Sequence, residues 1–178
     1  EDAAYWTLGN VNSKLYLVTD LDAPKRRVIA VDLKAPERSN WKTIIPEAPY
    51  VVQDSTLVGG RIALQYLVDV ESRVQLFTMD GKELSTVTLP GVGTVGEVNG
   101  RYDSPELIYS FTSPLYPSTV YFCERLCRTS RTFEDANPPF DPMNYEIKQF
   151  FAVSKDGTRV PYFVTARKNI ALNGDNPT

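Results

Sequence analysis

Val28, Val74 and Val120 fall 46 residues apart, and each sits in the same local plan: an apolar strand, a polar turn, then a second strand. The first copy runs through residues 15–19, a turn at 20–25 and a strand at 28–31. The second runs through 62–68, 69–72 and 74–77, and the third through 107–111, 112–114 and 120–123. Three residues beyond each valine comes another small or apolar residue, namely Val31, Phe77 and Cys123. A repeat of this kind marks one supersecondary unit used several times, because a single copy cannot cover its own apolar faces.

Each hairpin is flanked by two more candidate strands. Residues 5–8, 51–58 and 93–98 precede them, and residues 42–45, 84–89 and 128–133 follow. Gly59-Gly60, Asp80-Gly81, Pro90-Gly91 and Asn99-Gly100 punctuate these runs as turns. Four strands per roughly 45 residues is the blade pattern of a β-propeller. No stretch sustains apolar residues at the helical spacing, so no helix is expected. The expected class is all-β, with about three four-stranded antiparallel blades followed by a β-hairpin. Rings close with roughly 4 to 8 blades. The ends of a three-blade tandem are therefore expected to expose apolar faces, matched by chain further upstream or by a second copy.

The chain contains no histidine and two cysteines among its 178 residues. A Ser-His-Asp triad needs an imidazole to move the proton at neutral pH. Two cysteines alone cannot close a zinc site. Serine or cysteine hydrolysis by such a triad, and structural zinc, therefore fall away for these residues. Cys123 and Cys127 are spaced so that they could bond around a tight loop; the alternative is two small side chains beside a blade turn. Net charge is -3, which gives no electrostatic footprint for nucleic acid. No apolar run approaches the roughly 18 residues of a membrane span. A first residue Glu1 and no signal peptide suggest an excised piece or a mature product. No cofactor is expected.

Gly91-Val92-Gly93-Thr94-Val95-Gly96 matches the glycine pattern of dinucleotide sites, but a turn follows it where such a site needs a helix. It reads instead as a turn and an innermost strand, where small residues let blades converge. Ser39-Asn40-Trp41-Lys42 matches a serine–lysine pattern, yet it lies between a proline-containing loop and a strand and reads as a solvated turn. Asp20 with Asp22, and Asp69 with Glu71, fall on equivalent turns that favour Asp for local hydrogen bonds. Together with Glu134 and Asp135 they are too sparse for calcium. Arg125, Arg128 and Arg131 read as a charged edge that discourages strand addition.

The repeat stops near Phe133, and a proline-rich exit follows at 136–142. Residues 145–154 and 159–167 then form a longer hairpin around Asp156-Gly157, a strong turn signal. Pro161 removes a ladder donor and implies an edge position or a bulge. A domain boundary is expected at about residue 140.

Five segments carry a family likeness: residues 40–47 (Asn-Trp-Lys-Thr-Ile-Ile-Pro-Glu), 89–93 (Leu-Pro-Gly-Val-Gly), 109–113 (Tyr-Ser-Phe-Thr-Ser), 139–142 (Pro-Phe-Asp-Pro) and 154–161 (Ser-Lys-Asp-Gly-Thr-Arg-Val-Pro). Residues 174–178 extend the last. In this order they resemble the late propeller of prolyl oligopeptidases, the prolyl endopeptidase branch of the serine peptidases. The resemblance implies a seven-bladed propeller that restricts entry to short peptides, inserted into an α/β-hydrolase domain that cleaves after proline. On that footing residues 1–140 are the last three blades, and 141–178 are a linker and the first hydrolase strands. It also implies that the triad lies downstream of Thr178, so no catalytic, cofactor-binding or metal-ligating residue is named. The implied partners are short proline-containing peptides, with neither nucleic acid nor membrane. A different reading is a β-blade interaction module that binds a partner or self-associates through open blade faces.

Overall fold

A computed structural model describes residues 2–133, 138–171 and 173–176 of the chain. Three four-stranded antiparallel sheets follow one another, each with its strands side by side in chain order. Blade 1 holds β1 (Tyr5–Val11), β2 (Lys14–Thr19), β3 (Arg27–Asp32) and β4 (Lys42–Ile45). Blade 2 holds β5 (Val51–Val58), β6 (Arg61–Val68), β7 (Glu71–Thr78) and β8 (Glu83–Thr86). Blade 3 holds β9 (Thr94–Arg101), β10 (Ser104–Ser113), β11 (Tyr116–Glu124) and β12 (Arg131–Thr132). A two-stranded sheet of β13 (Tyr145–Val153) and β14 (Arg159–Arg167) comes last. Among the described residues the only helical turns are short 3-10 segments at Arg38–Asn40 and Pro142–Asn144.

The pleat sends alternate residues to opposite faces, and both faces of blade 2 are apolar. Ile62, Leu64, Tyr66 and Phe77 pack against Tyr16, Val18, Val28 and Ala30 of blade 1. Ala63, Val74 and Leu76 pack the other way, against Leu107, Tyr109, Phe111 and Cys123 of blade 3. Leu76 and Leu107 are fully buried, and each such side chain contributes roughly 1.5–3 kcal/mol of burial energy.

The repeated valines occupy one structural position. Val28 and Val74 point toward the following blade and are 0% exposed. Val120 pairs with Ser110 on the corresponding face of β11 but is 45% exposed, because no further blade among the described residues covers that face. The expected unmatched face is therefore present at this end, flanked by Phe122 and by Phe133, whose ring lies 4.9 Å from that of Phe122.

A second repeat runs through the turns. The amides of Ala35, Gly81 and Cys127 donate to the carbonyls of Asp32, Thr78 and Glu124 respectively. These three turns are again 46 residues apart. Gly81 adopts φ +90, and a Cβ there would strike the Ile44 carbonyl of blade 1. The turn after the third strand thus leans on the outer strand of the preceding blade.

The outer strand of blade 3 is shorter than expected: β12 spans two residues rather than 128–133. The chain first turns at 124–127, with Arg125 and Cys127 at φ 57 and 50, which uses up the residues that would have paired. Cys123 and Cys127 are joined by a disulfide, with 5.0 Å between their Cα atoms. Closing so small a loop stabilises by about 2 kcal/mol in the chain-entropy view.

Candidate functional site

The innermost strands share a feature that residue types alone did not announce. Each carries a register shift: in β1 between Thr7 and Gly9, in β5 between Val52 and Asp54, and in β9 opposite Tyr109 and Phe111. Such bulges leave backbone groups without ladder partners. In β9 blade 2 supplies them. Gln65 donates to the Val95 carbonyl at 2.8 Å, Ser72 Oγ accepts from the Val95 amide at 2.9 Å, and an Asp54 carboxylate oxygen accepts from the Val98 amide at 2.9 Å. A clue to one of these partners existed in the sequence: Gln65 interrupts the otherwise apolar run of β6.

The glycine pattern at 91–96 lies where β9 starts, and no helix follows it. A Cβ on Gly93 would meet the Phe111 ring and the Thr112 carbonyl, and one on Gly96 would meet Ser110 Oγ. These glycines therefore serve close strand approach. Ser39 sits exposed in the first 3-10 turn and Lys42 opens β4. Asp20 accepts from the Ala4 amide at 2.7 Å, a bond between residues 16 apart rather than the local turn bond expected, and it secures the lead-in to β1 against the end of β2. Glu134 and Asp135 lie outside the described residues. Among the described residues no group of three acidic or sulfur side chains could hold a metal ion. Arg125, Arg128 and Arg131 are exposed along the β12 side of blade 3.

Two shallow hollows lie at the blade-turn end, where the chain leaves blade 3. One cleft there is lined by Pro90, Ser113, Tyr116, Met143, Glu146 and Lys168, so it joins the link between blades 2 and 3 and the β10–β11 turn to the root of the β13–β14 hairpin. An adjoining hollow is lined by Phe140, Asp141, Tyr145 and Arg167. The hairpin also reaches blade 2, where Gln149 donates to the Asp69 carbonyl at 2.6 Å. At its tip, Asp156 accepts from Ser154 Oγ and from the Thr158 amide. These bonds, the Ser154 hydroxyl first, hold its carboxyl well below the usual range, at about 2. The tip is secured by a carboxylate that stays ionised above that pH. Pro161 stands opposite Phe151 in an unbroken register on a strand with one neighbour, the edge position its missing donor requires.

No Ser-His-Asp triad can assemble from this region's residues, because the chain has no histidine. Ser113 Oγ already accepts from the amides of Leu115 and Tyr116, each at 3.2 Å, and no imidazole is available to draw off its proton.

Comparison with known proteins agrees with the blade architecture. Residues 1–135 match the family described as prolyl oligopeptidase, N-terminal beta-propeller domain. The chain is 31% identical over 164 residues to the prolyl endopeptidase of Elizabethkingia meningoseptica, covering 92% of this chain and 23% of that protein. It is 32% identical to an uncharacterized peptidase of Sinorhizobium fredii, covering 85% of this chain and 22% of that one. A solved structure from a study of two prolyl endopeptidases superposes with a TM-score of 0.82 at 36% identity, covering 95% of this chain and 25% of its own. The fold also matches prolyl oligopeptidase B from Galerina marginata, with a TM-score of 0.83 at 22% identity. The chain thus spans about a quarter of the length of these relatives. Its three antiparallel blades and the match over residues 1–135 place it in the prolyl oligopeptidase family, as part of the family's N-terminal β-propeller.

Proposed function

We propose that these residues are a non-catalytic piece of a serine endopeptidase that hydrolyses short peptides after proline through an acyl-enzyme. The three blades would be the last of a seven-bladed ring that gates access, and the chain from about residue 140 onward would be a linker and the first strands of the hydrolase domain. The observation that carries this reading is coverage: relatives named prolyl endopeptidase match 92% of the chain while the chain spans under a quarter of their length. The hairpin supports the division. Val153 and Val160 are 71% and 45% exposed on a sheet of only two strands, as suits strands meant for a larger sheet. The purified 178-residue chain should leave a chromogenic peptide with proline before the scissile bond intact. The full-length product of the parent gene should cleave it. Turnover by the short chain, or a full-length product without post-proline cleavage, would overturn the proposal.

A second reading is favoured by one observation, the exposed apolar face of blade 3. Val120, Phe122 and Phe133 offer a surface through which copies of the chain would associate.

A further inference from the structure

The repeated turn ends on Ala35 in blade 1, Gly81 in blade 2 and Cys127 in blade 3, and only the last two of these residues adopt positive φ. In blade 2 the fourth residue is Gly81, for which φ +90 costs little. In blade 3 it is Cys127 at φ 50, preceded by Arg125 at φ 57, two residues with a Cβ in the left-handed region. Something must hold that conformation, and the ladder does not, since β12 is two residues long.

What the turn reaches is blade 2. The Cys127 carbonyl accepts from the Thr88 amide at 3.1 Å, and the Leu126 carbonyl accepts from Ser85 Oγ at 2.9 Å. The Arg125 amide ties the turn back to the Pro105 carbonyl at the start of β10, at 3.2 Å. Cys123 and Cys127 are 2% and 1% exposed and belong to the same core as Val74, Leu76 and Val87 of blade 2. The disulfide therefore lies inside the seam between blades, beneath the turn that spans it.

We propose that the Cys123–Cys127 bond is a redox-sensitive clasp, which keeps this turn closed on blade 2 and whose reduction loosens the seam between blades 2 and 3. The chemistry is ordinary thiol–disulfide exchange. A dithiol reductant supplies two electrons and two protons, the Sγ–Sγ bond breaks to give two cysteine thiols, and the reductant ends as its own disulfide. Both sulfurs are buried, so exchange follows local opening of the turn. The proposal does not depend on the peptidase reading.

Hydrogen exchange at the Thr88 amide reads the seam directly, with the Leu17 and Ile29 amides of blade 1 as an internal control. The air-oxidised chain should show no free thiol on denaturation without reductant, and two free thiols would overturn the proposal. Treatment with dithiothreitol should speed exchange at Thr88 by on the order of tenfold and leave blade 1 unchanged. Unchanged protection at Thr88, or a uniform rise in all blades, would count against a local clasp. Two bond-free variants complete the test: Cys123→Val with Cys127→Gly should restore Thr88 protection by taking up the blade 2 solution, whereas Cys123→Val with Cys127→Ser should not. Equal protection in both variants would sink the idea that the bond holds the turn.

Discussion

Val70 is the residue at which backbone and side chain disagree most openly. It follows Asp69 in the tight turn between β6 and β7, with the pair at φ 48 and 69. A two-residue hairpin of this hand wants glycine or asparagine, whereas a β-branched side chain in the left-handed region is strained by roughly 1–2 kcal/mol. Val70 is 53% exposed, so it recovers little from packing. Val70→Gly should raise the urea midpoint by the equivalent of about 0.5–1 kcal/mol, after allowing for the freer unfolded chain. An unchanged or lower midpoint would mean that the valine is supported by a contact with the neighbouring hairpin. The turn was legible in the sequence as a polar interruption, because Asp69 and Ser72 favour turns. Its strain was not, since Asp-Val gives no sign of positive φ. Gln65 tells the opposite story: a polar residue within an apolar strand advertises a partner, but naming Val95 needed the fold.

At the scale of elements, each blade face is as stable as what covers it. Leu107 on β10 is fully buried between blades 2 and 3, whereas Val120 on the neighbouring strand faces outward. Leu107→Ala should therefore cost about 2–5 kcal/mol by cavity formation, and Val120→Ala under about 1 kcal/mol, both read from denaturant unfolding. Comparable costs would show that the outer face of blade 3 is covered in solution. Most strands were readable from alternation and turn residues, and the hairpin after Asn144 from Asp156-Gly157, but Asn99-Gly100, expected to be a turn, lies inside β9, and the chain turns at Tyr102-Asp103 instead. The ends of outer strands were not readable. β12 shrank because a turn with two left-handed residues displaced it, and no single-residue preference foretells Arg125 or Cys127 in that role. The cysteine spacing left bond and no bond both open; the choice is made by the turn that brings their Cα atoms to 5.0 Å. The bulges of the inner strands were silent for the same reason, being products of how strands converge.

For the whole molecule the decisive fact is the uncovered face of blade 3. Sedimentation over a concentration series should show association of the 178-residue chain, and Val120→Lys should reduce it. A clean monomer throughout would remove the self-association reading and leave the peptidase reading untouched. The absence of histidine governs these 178 residues alone, which span about a quarter of the length of the relatives they match. The evenly spaced turns at Ala35, Gly81 and Cys127 carry a further consequence. They act as the graduations of a ruler. Length may be added or lost between strands elsewhere, but a segment cut from one graduation to the next, residues 36–81 for example, keeps every inward and outward side chain in phase when it is duplicated. Such a segment ends and begins at the same point of the blade. Duplicating it would add a blade's worth of strands without reversing any face, which makes these turns natural joints for lengthening or shortening the tandem.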